Sequence, residues 1–512
     1  MEVFGSLLGG FATALTPQNL LYAGIGVFLG TAIGVLPGIG PALTISLLLP
    51  ITFGLDAVPA FIMFGGIYYG AMYGGSTTSI LVNTPGESAS VVTAIDGYQM
   101  AKKGRGGAAL ATSAIGSFVA GTIATFLLMF LAVALVSFAV KLGPPEYFAI
   151  MLLALAAVTS LSGTSAPKSF FATLLGLALG LVGTDNQTGQ LRLTFGISEL
   201  ESGIDVVLGA IGLFAVGEVL WYAATLRSQQ AEQRITLKGS IWMNGEEFRR
   251  SWPAWLRGSA VGFFIGALPG AGATIASFIS YAVEKATARG RRKSEFGKGA
   301  IEGVAGPEAS NNASAGGALV PLLGLGIPGS GTTAVMVAAF QIYGLQPGPL
   351  LFDKRPDLVW GLIASLYLAN AMLLVLNLPL VGLWVRLLDI PKPLLYGGIL
   401  VVSAVGVYSL NRSATDLIVV FVLGVVGYLM RRFDYPLAPV ILGIVLAPLI
   451  DNNFRRAMIM TDGDVIRLVT RPATATTLVI ALAFLMLPFM LRLYARRTGN
   501  REVAELAETD VG

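Results

Sequence analysis

Two stretches of one pattern, Gly34-Val-Leu-Pro-Gly-Ile-Gly40 and Gly266-Ala-Leu-Pro-Gly-Ala-Gly272, lie about half a chain apart, each inside a long apolar run. Each is followed by a second helix-breaking stretch, Asn83-Thr-Pro-Gly-Glu-Ser88 in the first half and Gly326-Ile-Pro-Gly-Ser-Gly331 in the second. A Pro-Gly pair that opens a new helical segment leaves unpaired backbone N–H groups and the positive end of the helix dipole facing the break, a ready receptor for a carboxylate. In lipid those freed groups must find partners inside the protein or in a wet cavity, so matched breaks in two halves point to the binding site of a transporter.

The prolines Pro37, Pro85, Pro269 and Pro328 are expected to hold the breaks, and Gly38, Gly40, Gly86, Gly270, Gly272 and Gly329 to let backbone approach a ligand. Uncharged donors cluster beside them: Ser76, Thr77, Thr78 and Asn83 near the first pair, Asn311, Asn312, Ser330, Thr332 and Thr333 near the second. Taken singly, a hydroxyl in such a helix bonds back to its own backbone. Converging on four breaks, the set is a candidate substrate-binding shell that needs no intramembrane arginine. Asn83, Asn311 and Asn312 are the stronger members, because a buried amide must satisfy both its donors and its acceptor.

Coupling to an ion calls for different groups. Glu87 directly follows Pro85-Gly86, where it either caps a half-helix N-terminus, worth about 0.3–1 kcal/mol, or carries a proton or cation. Asn83, Glu87 and Asn311 are the ion-coupling candidates, with Asp96, Glu302 and Glu308 behind them. Released carbonyls beside a buried amide are also the makings of a sodium site, whose ligands the sequence does not assign. Glu146, Asp389 and Asp434 read as membrane-boundary residues.

These positions require membrane helices to carry them. The 512 residues are 54% hydrophobic and 12% charged, with many apolar runs near the roughly 20 residues of a spanning helix. This is the composition of an all-α polytopic membrane protein with about 12 transmembrane helices, some broken or re-entrant. The 33 basic and 29 acidic residues leave +4, which argues against a nucleic-acid partner. The chain has no cysteine and no histidine, which excludes thiol chemistry, imidazole or thiolate metal sites and histidine acid–base catalysis. An enzyme is not expected, nor any cofactor. Residues 1–101 carry no lysine or arginine, so a cleavable signal peptide is not expected either.

Apolar runs fall near 20–50, 60–83, 108–140, 146–162, 170–183 and 204–225, then near 258–284, 314–343, 358–388, 394–409, 415–430, 436–450 and 474–493. The chain divides into a first membrane repeat (1–226), a basic cytoplasmic or interfacial linker (227–257), a second repeat (258–493) and a cytoplasmic tail (494–512). In the linker, Trp242, Trp252 and Trp255 among Arg249, Arg250 and Arg257 read as an interfacial anchor.

Pro37 aligns with Pro269 at an offset of 232, and Pro85 with Pro328 at 243. The extra 11 residues fall between the two signatures of the second half, an interval that holds the basic stretch Lys285 to Lys293, whereas the equivalent stretch Ile51 to Pro59 has no basic residue. After the second break the asymmetry reverses: Lys102, Lys103 and Arg105 stand in the first half, while Lys354 and Arg355 are offset by Asp353 and Asp357 in the second. By the positive-inside rule the two repeats are expected to be inverted, with substrate bound near the midplane between them. A duplicated scaffold with small-residue packing would share the glycines but not the polar clusters.

On the paired glycine-proline motifs, Gly74-Gly-Ser-Thr-Thr-Ser79, Asn83-Thr-Pro-Gly-Glu87 and Ser310-Asn-Asn312, the chain resembles, over essentially its whole length, the large membrane subunit of the tripartite tricarboxylate transporters, the TctA family. The resemblance implies a secondary transporter of the bacterial inner membrane. It works with a small four-helix membrane subunit and a periplasmic substrate-binding protein that delivers a carboxylate, driven by a sodium or proton gradient without ATP. Citrate and related tricarboxylates, dicarboxylates and aromatic acids fall within the family, so its motifs do not choose the substrate. The competing readings are a stand-alone carboxylate carrier, a channel, and a membrane-embedded enzyme; the last would want an acidic metal-binding cluster or a histidine base.

Overall fold

The computed structural model describes residues 2–498 except 37–38, 53, 162–164, 186, 227–240 and 388–389. The first half runs α1 (Glu2–Ala14), α2 (Pro17–Val35), α3 (Pro41–Thr52), α4 (Ala57–Val82), α5 (Val91–Lys102), α6 (Gly106–Ala139), α7 (Pro144–Leu161) and α8 (Ala166–Gly180). A short hairpin of β1 (Gly183–Thr184) and β2 (Leu191–Arg192) follows, then α9 (Val206–Ala210), a π-helical turn over Ile211–Val216 and α10 (Gly217–Thr225). The second half comprises α11 (Gly245–Gly266), α12 (Gly272–Thr287), α13 (Glu302–Leu325), α14 (Gly331–Ile342), α15 (Pro349–Lys354), α16 (Pro356–Asn377) and α17 (Val381–Leu387). It closes with α18 (Lys392–Asn411), α19 (Ala414–Arg432), α20 (Ala438–Met460), α21 (Val465–Thr470) and α22 (Pro472–Thr498).

Seven described helices are long and apolar enough to cross a membrane, so the chain is a multi-pass membrane protein. The 26-residue α4 and the 24-residue α13 also reach spanning length but are buried along nearly their whole length. They form the interior of the bundle, where glycine, hydroxyl and amide side chains need not meet lipid. The expected runs at 20–50, 258–284 and 314–343 are each divided in two, at the breaks between α2 and α3, α11 and α12, and α13 and α14. The hairpin pairs Gly183 with Arg192 and Thr184 with Leu191, a small departure from the all-α expectation. It is fixed to α20 by Asp185, which bonds Arg192 and Arg455, while Asp451 takes both arginines as well.

The boundary expected at Arg257 falls earlier. Asn244 caps α11 through reciprocal bonds with Glu247, both 2.8 Å, so residues 245–257 are the first turns of a helix. Trp255, expected in an interfacial anchor, is buried and donates its indole N–H to the Thr112 carbonyl at 3.1 Å. Residues 227–240 of the expected linker, Asp389 and residues 499–512 of the expected tail lie outside the described residues.

The two halves repeat one packing in one register. Gly26, Gly30 and Gly34 of α2 lie so close to α4 that a Cβ on each would strike the carbonyl of Met63, Ile67 and Ala71 in turn. Gly258, Gly262 and Gly266 of α11 meet the carbonyls of Gly306, Ser310 and Ser314 of α13 in the same way. The glycines are 232 residues apart and their partners 243, the offsets read from the prolines. From the other side, Gly74 abuts Thr31 and Val35, and Gly317 abuts Phe263 and Ala267, again at those offsets. Only glycine permits backbones this close, which is how small residues bind helices where no hydrophobic force does so. Each central helix then packs on the other half: α4 on α16, α13 on α6.

Candidate functional site

Each break ends its helix by identifiable chemistry. Leu36 stops α2 with its N–H on the Ile33 carbonyl, and Pro41 opens α3. Asn83 ends α4 in the left-handed conformation (φ 58°), and Gly326 does the same for α13 (φ 73°). Beyond α11, Gly270 and Gly272 both take positive φ. After the second break of each half comes a capping box, Glu87 with Ser90 in the first and Ser330 with Thr333 in the second, at an offset of 243.

All four breaks open onto one cavity of about 1120 Å³. Its wall takes Gly40 to Leu43, Thr84 to Ala89, Gly270 to Ile275 and Ser330 to Thr332, so the first residues of α3, α12, α14 and the turn leading into α5 converge on one space. Helix N-termini carry partial positive charge, and those of α3, α12 and α14 around one cavity suit anionic groups. The volume is at the upper end of the several hundred to about 1,000 Å³ of small-molecule sites.

Hydrogen bonds stitch the halves together at this cavity. Asn311 Nδ2 donates to Glu87 Oε1 at 2.8 Å, from α13 to the first half's second break. Tyr68 Oη and Ser330 Oγ pair at 3.3 Å, from α4 to the second half's second break. Residues 68 and 311, like 87 and 330, are 243 apart, so these two contacts are the same contact made twice. Ser88 Oγ and Thr274 Oγ1 join across at 2.8 Å, and the Gly270 N–H donates to the Gly329 carbonyl at 2.9 Å.

Of the expected shell, Gly40, Pro85, Gly86, Glu87, Gly270, Gly272, Ser330 and Thr332 line the cavity. Pro269, Pro328, Gly329 and Thr333 stand behind it, Gly329 and Thr333 through the bonds just described. Asn311 reaches it through Glu87, and its own Oδ1 is buried without a partner. Pro37 and Gly38 lie outside the described residues. The structure does not bring in the remainder. Ser76 and Thr78 bond back to Tyr73 and Gly75 inside α4, where Thr77 is also buried. Asn83 is solvent-exposed at the end of α4, and Asn312 turns towards Ser117 at 2.6 Å.

The opposite wall was not foreseen from the motifs. It is made by Phe214, Glu218, Trp221 and Tyr222, with Lys392 and Tyr396 of α18 and Arg431 of α19. Arg431 pairs with Glu218 and sits 5.3 Å over the Trp221 ring, while Tyr222 stacks on Tyr396 at 4.1 Å. The available signal was Glu218, an acid in the middle of the apolar run 204–225, which in a membrane demands a basic partner. Among the other acids, Glu302 is held by Arg250 at 2.6 Å, Glu146 by Arg471 at 2.9 Å, and Asp96 by Tyr281 at 2.9 Å. Among the described residues no group of three or more acidic, histidine or cysteine side chains could hold a metal.

Comparison with known proteins agrees with this architecture. Residues 20–442 match the model of the tripartite tricarboxylate transporter TctA family. The chain is 47% identical, over 97% of its length and 98% of the relative's, to an uncharacterized 52.8 kDa protein in the TAR-I ttuC' 3'region of Agrobacterium vitis. It is 43% identical to an uncharacterized protein in the TAR-II ttuC' 3'region of the same organism, over 46% of this chain and 97% of that one. No solved structure matches.

Proposed function

The chain belongs to the tripartite tricarboxylate transporter TctA family, and from that premise we propose that it is the large membrane subunit of a binding-protein-dependent importer of tricarboxylates or related carboxylates. It is a transport protein rather than an enzyme. The observation that carries the carboxylate reading is the convergence of all four breaks on one cavity, three of them through the N-termini of α3, α12 and α14. A periplasmic binding protein delivers the substrate, a small four-helix subunit completes the complex in the bacterial inner membrane, and a sodium or proton gradient supplies the drive.

In this reading the two halves are inverted repeats. The equal register of their glycine seams supports the duplication, and the opposed placement of basic residues supports the inversion. The carboxylate sits between the half-helix N-termini, against Ser330 and Thr332 on one side and the Lys392 and Arg431 wall on the other. Alternating access moves the bundle that carries the breaks relative to α10, α18 and α19.

The test is uptake of radiolabelled carboxylates by proteoliposomes holding this chain and its small subunit, with and without the binding protein, under imposed sodium or proton gradients. Saturable, gradient-driven uptake that requires the binding protein is expected. Uptake indifferent to the binding protein would mark a stand-alone carrier, and non-saturating flux without a gradient would mark a channel.

A further inference from the structure

Glu308 is a fully buried carboxylate on the central helix α13. Thr93 of α5 donates to Oε1, and Ser113 of α6 donates to Oε2 at 3.2 Å. One turn along the same face, Asn312 gives its amide N–H groups to Ser117 Oγ at 2.6 Å and to the Glu308 carbonyl at 3.2 Å. The Asn312 Oδ1 is buried with no partner. The result is a pocket of oxygens drawn from three helices.

On the packed elements Lys102, Glu246, Arg249 and Lys285 are solvent-exposed, and the buried or half-buried charged groups are already committed. Arg250 of α11 is held by Glu302 and Glu295, and Arg257 by Glu284 of α12. Asp96 of α5 takes Tyr281 and the amides of Gly299 and Ala300, and Glu87 takes Asn311. Among the described residues no lysine or arginine pairs with Glu308. Burying an ionised carboxylate without a countercharge costs several kcal/mol or more, on the order of the stability of a whole domain, so the group must be neutralised.

The repeat shows that the fold does not need it. At the same place in the other half, the counterpart of Glu308 is Gly65, where a side chain would meet only Leu362 and Leu366 of α16. Thr93 has Met336 as its counterpart, and Met336 is buried as well. One copy closes with apolar packing while the other keeps a carboxylate, three hydroxyls and an unsatisfied amide oxygen.

We propose that Glu308, with Thr93, Ser113, Ser117 and Asn312, forms a buried site for a monovalent cation, a proton or a sodium ion, whose occupancy drives transport. The coupling role rests on the transport reading above; the binding site does not. The turn 308–312 also carries Asn311, whose amide reaches Glu87 at the cavity, so neutralisation of Glu308 acts on the same turn that braces the substrate side.

The experiment uses purified full-length chain without any carboxylate, so that it stands whether or not transport is ever seen. One arm measures equilibrium binding of radiolabelled sodium; the other records acid-minus-base infrared difference spectra for a buried carboxyl. Saturable sodium binding lost in Glu308→Gln assigns sodium, and a carboxyl band lost in Glu308→Gln without sodium binding assigns the proton. Wild type lacking both signals, or either signal persisting in Glu308→Gln, overturns the site. Should Glu308→Gln fail to fold, Ser117→Ala keeps the carboxylate and is expected to weaken sodium binding about tenfold or shift the titration of the band by about one pH unit. Unchanged behaviour there overturns it equally. Glu146→Gln, whose carboxylate pairs with Arg471, serves as the unaffected control.

Discussion

Asn311 of one half holds Glu87 of the other at 2.8 Å, and Tyr68 holds Ser330 at 3.3 Å in the mirrored position. Each central helix thus braces the cap of the opposite half's broken helix. The two braces differ in strength: the first is a charge-assisted bond when Glu87 is ionised, the second a neutral hydroxyl pair.

Asn311→Ala removes the amide donor and leaves Glu87 beside an empty space. Uptake is expected to fall at least about tenfold, as for a lost hydrogen bond to a charged group, with membrane insertion unchanged. Tyr68→Phe should cost only about 0.5–1.5 kcal/mol, the ordinary value for a neutral bond. Initial rates in proteoliposomes check both; wild-type rates for Asn311→Ala would remove the brace from the mechanism.

Gly262→Ala places a Cβ against the Ser310 backbone of α13, and destabilisation of about 1–3 kcal/mol is expected from the overpacking. Gly397→Ala on α18 meets nothing within 4 Å and should stabilise by about 0.5–1 kcal/mol through helix propensity. Thermal unfolding in detergent separates the two, and equal midpoints would contradict the close seam.

Arg431 raises a question of cause, since its removal also strands Glu218. The double variant Glu218→Gln/Arg431→Gln restores electroneutrality and should recover the abundance lost in Arg431→Gln. Substrate affinity is expected to stay at least about tenfold weaker, because a charge that faces the carboxylate is still missing. Full recovery of affinity would limit Arg431 to a structural role.

In the loop 181–205, the Gln187 amide, the Thr188 hydroxyl and the Arg192 guanidinium hold the Asp185 carboxyl well below its usual range. A carboxylate lowered in the folded state adds stability above its unfolded pKa, and that stability is lost as pH falls through the folded value. Protection factors for hydrogen exchange across the hairpin, corrected for the intrinsic pH dependence of exchange, should therefore fall on acidification below about pH 4. In Asp185→Asn the hairpin should exchange fast at every pH.

The prolines and glycines made the breaks legible, because the residue types that break helices act locally. The offsets of 232 and 243 foretold the register of the glycine seams, since a duplicated packing keeps the spacing of its contacts. Asn83 was misleading for a physical reason: an amide beside Pro-Gly equally suits a left-handed helix end, and that is where it lies, exposed. The wall of Lys392, Tyr396 and Arg431 was not readable, because α10, α18 and α19 meet the breaks only through tertiary packing.

The glycine seams leave no side chains between α2 and α4 or between α11 and α13. Interdigitated side chains can slip by changing rotamer, whereas touching backbones have nothing to rearrange. These helix pairs, like α8 and α20 joined at Gly176 and Gly180, are therefore expected to move as units. Any opening of the cavity must run along its other boundary, where the rings of Phe214, Trp221, Tyr222 and Tyr396 can slide over one another. The fault line of the protein is drawn by where its glycines are not.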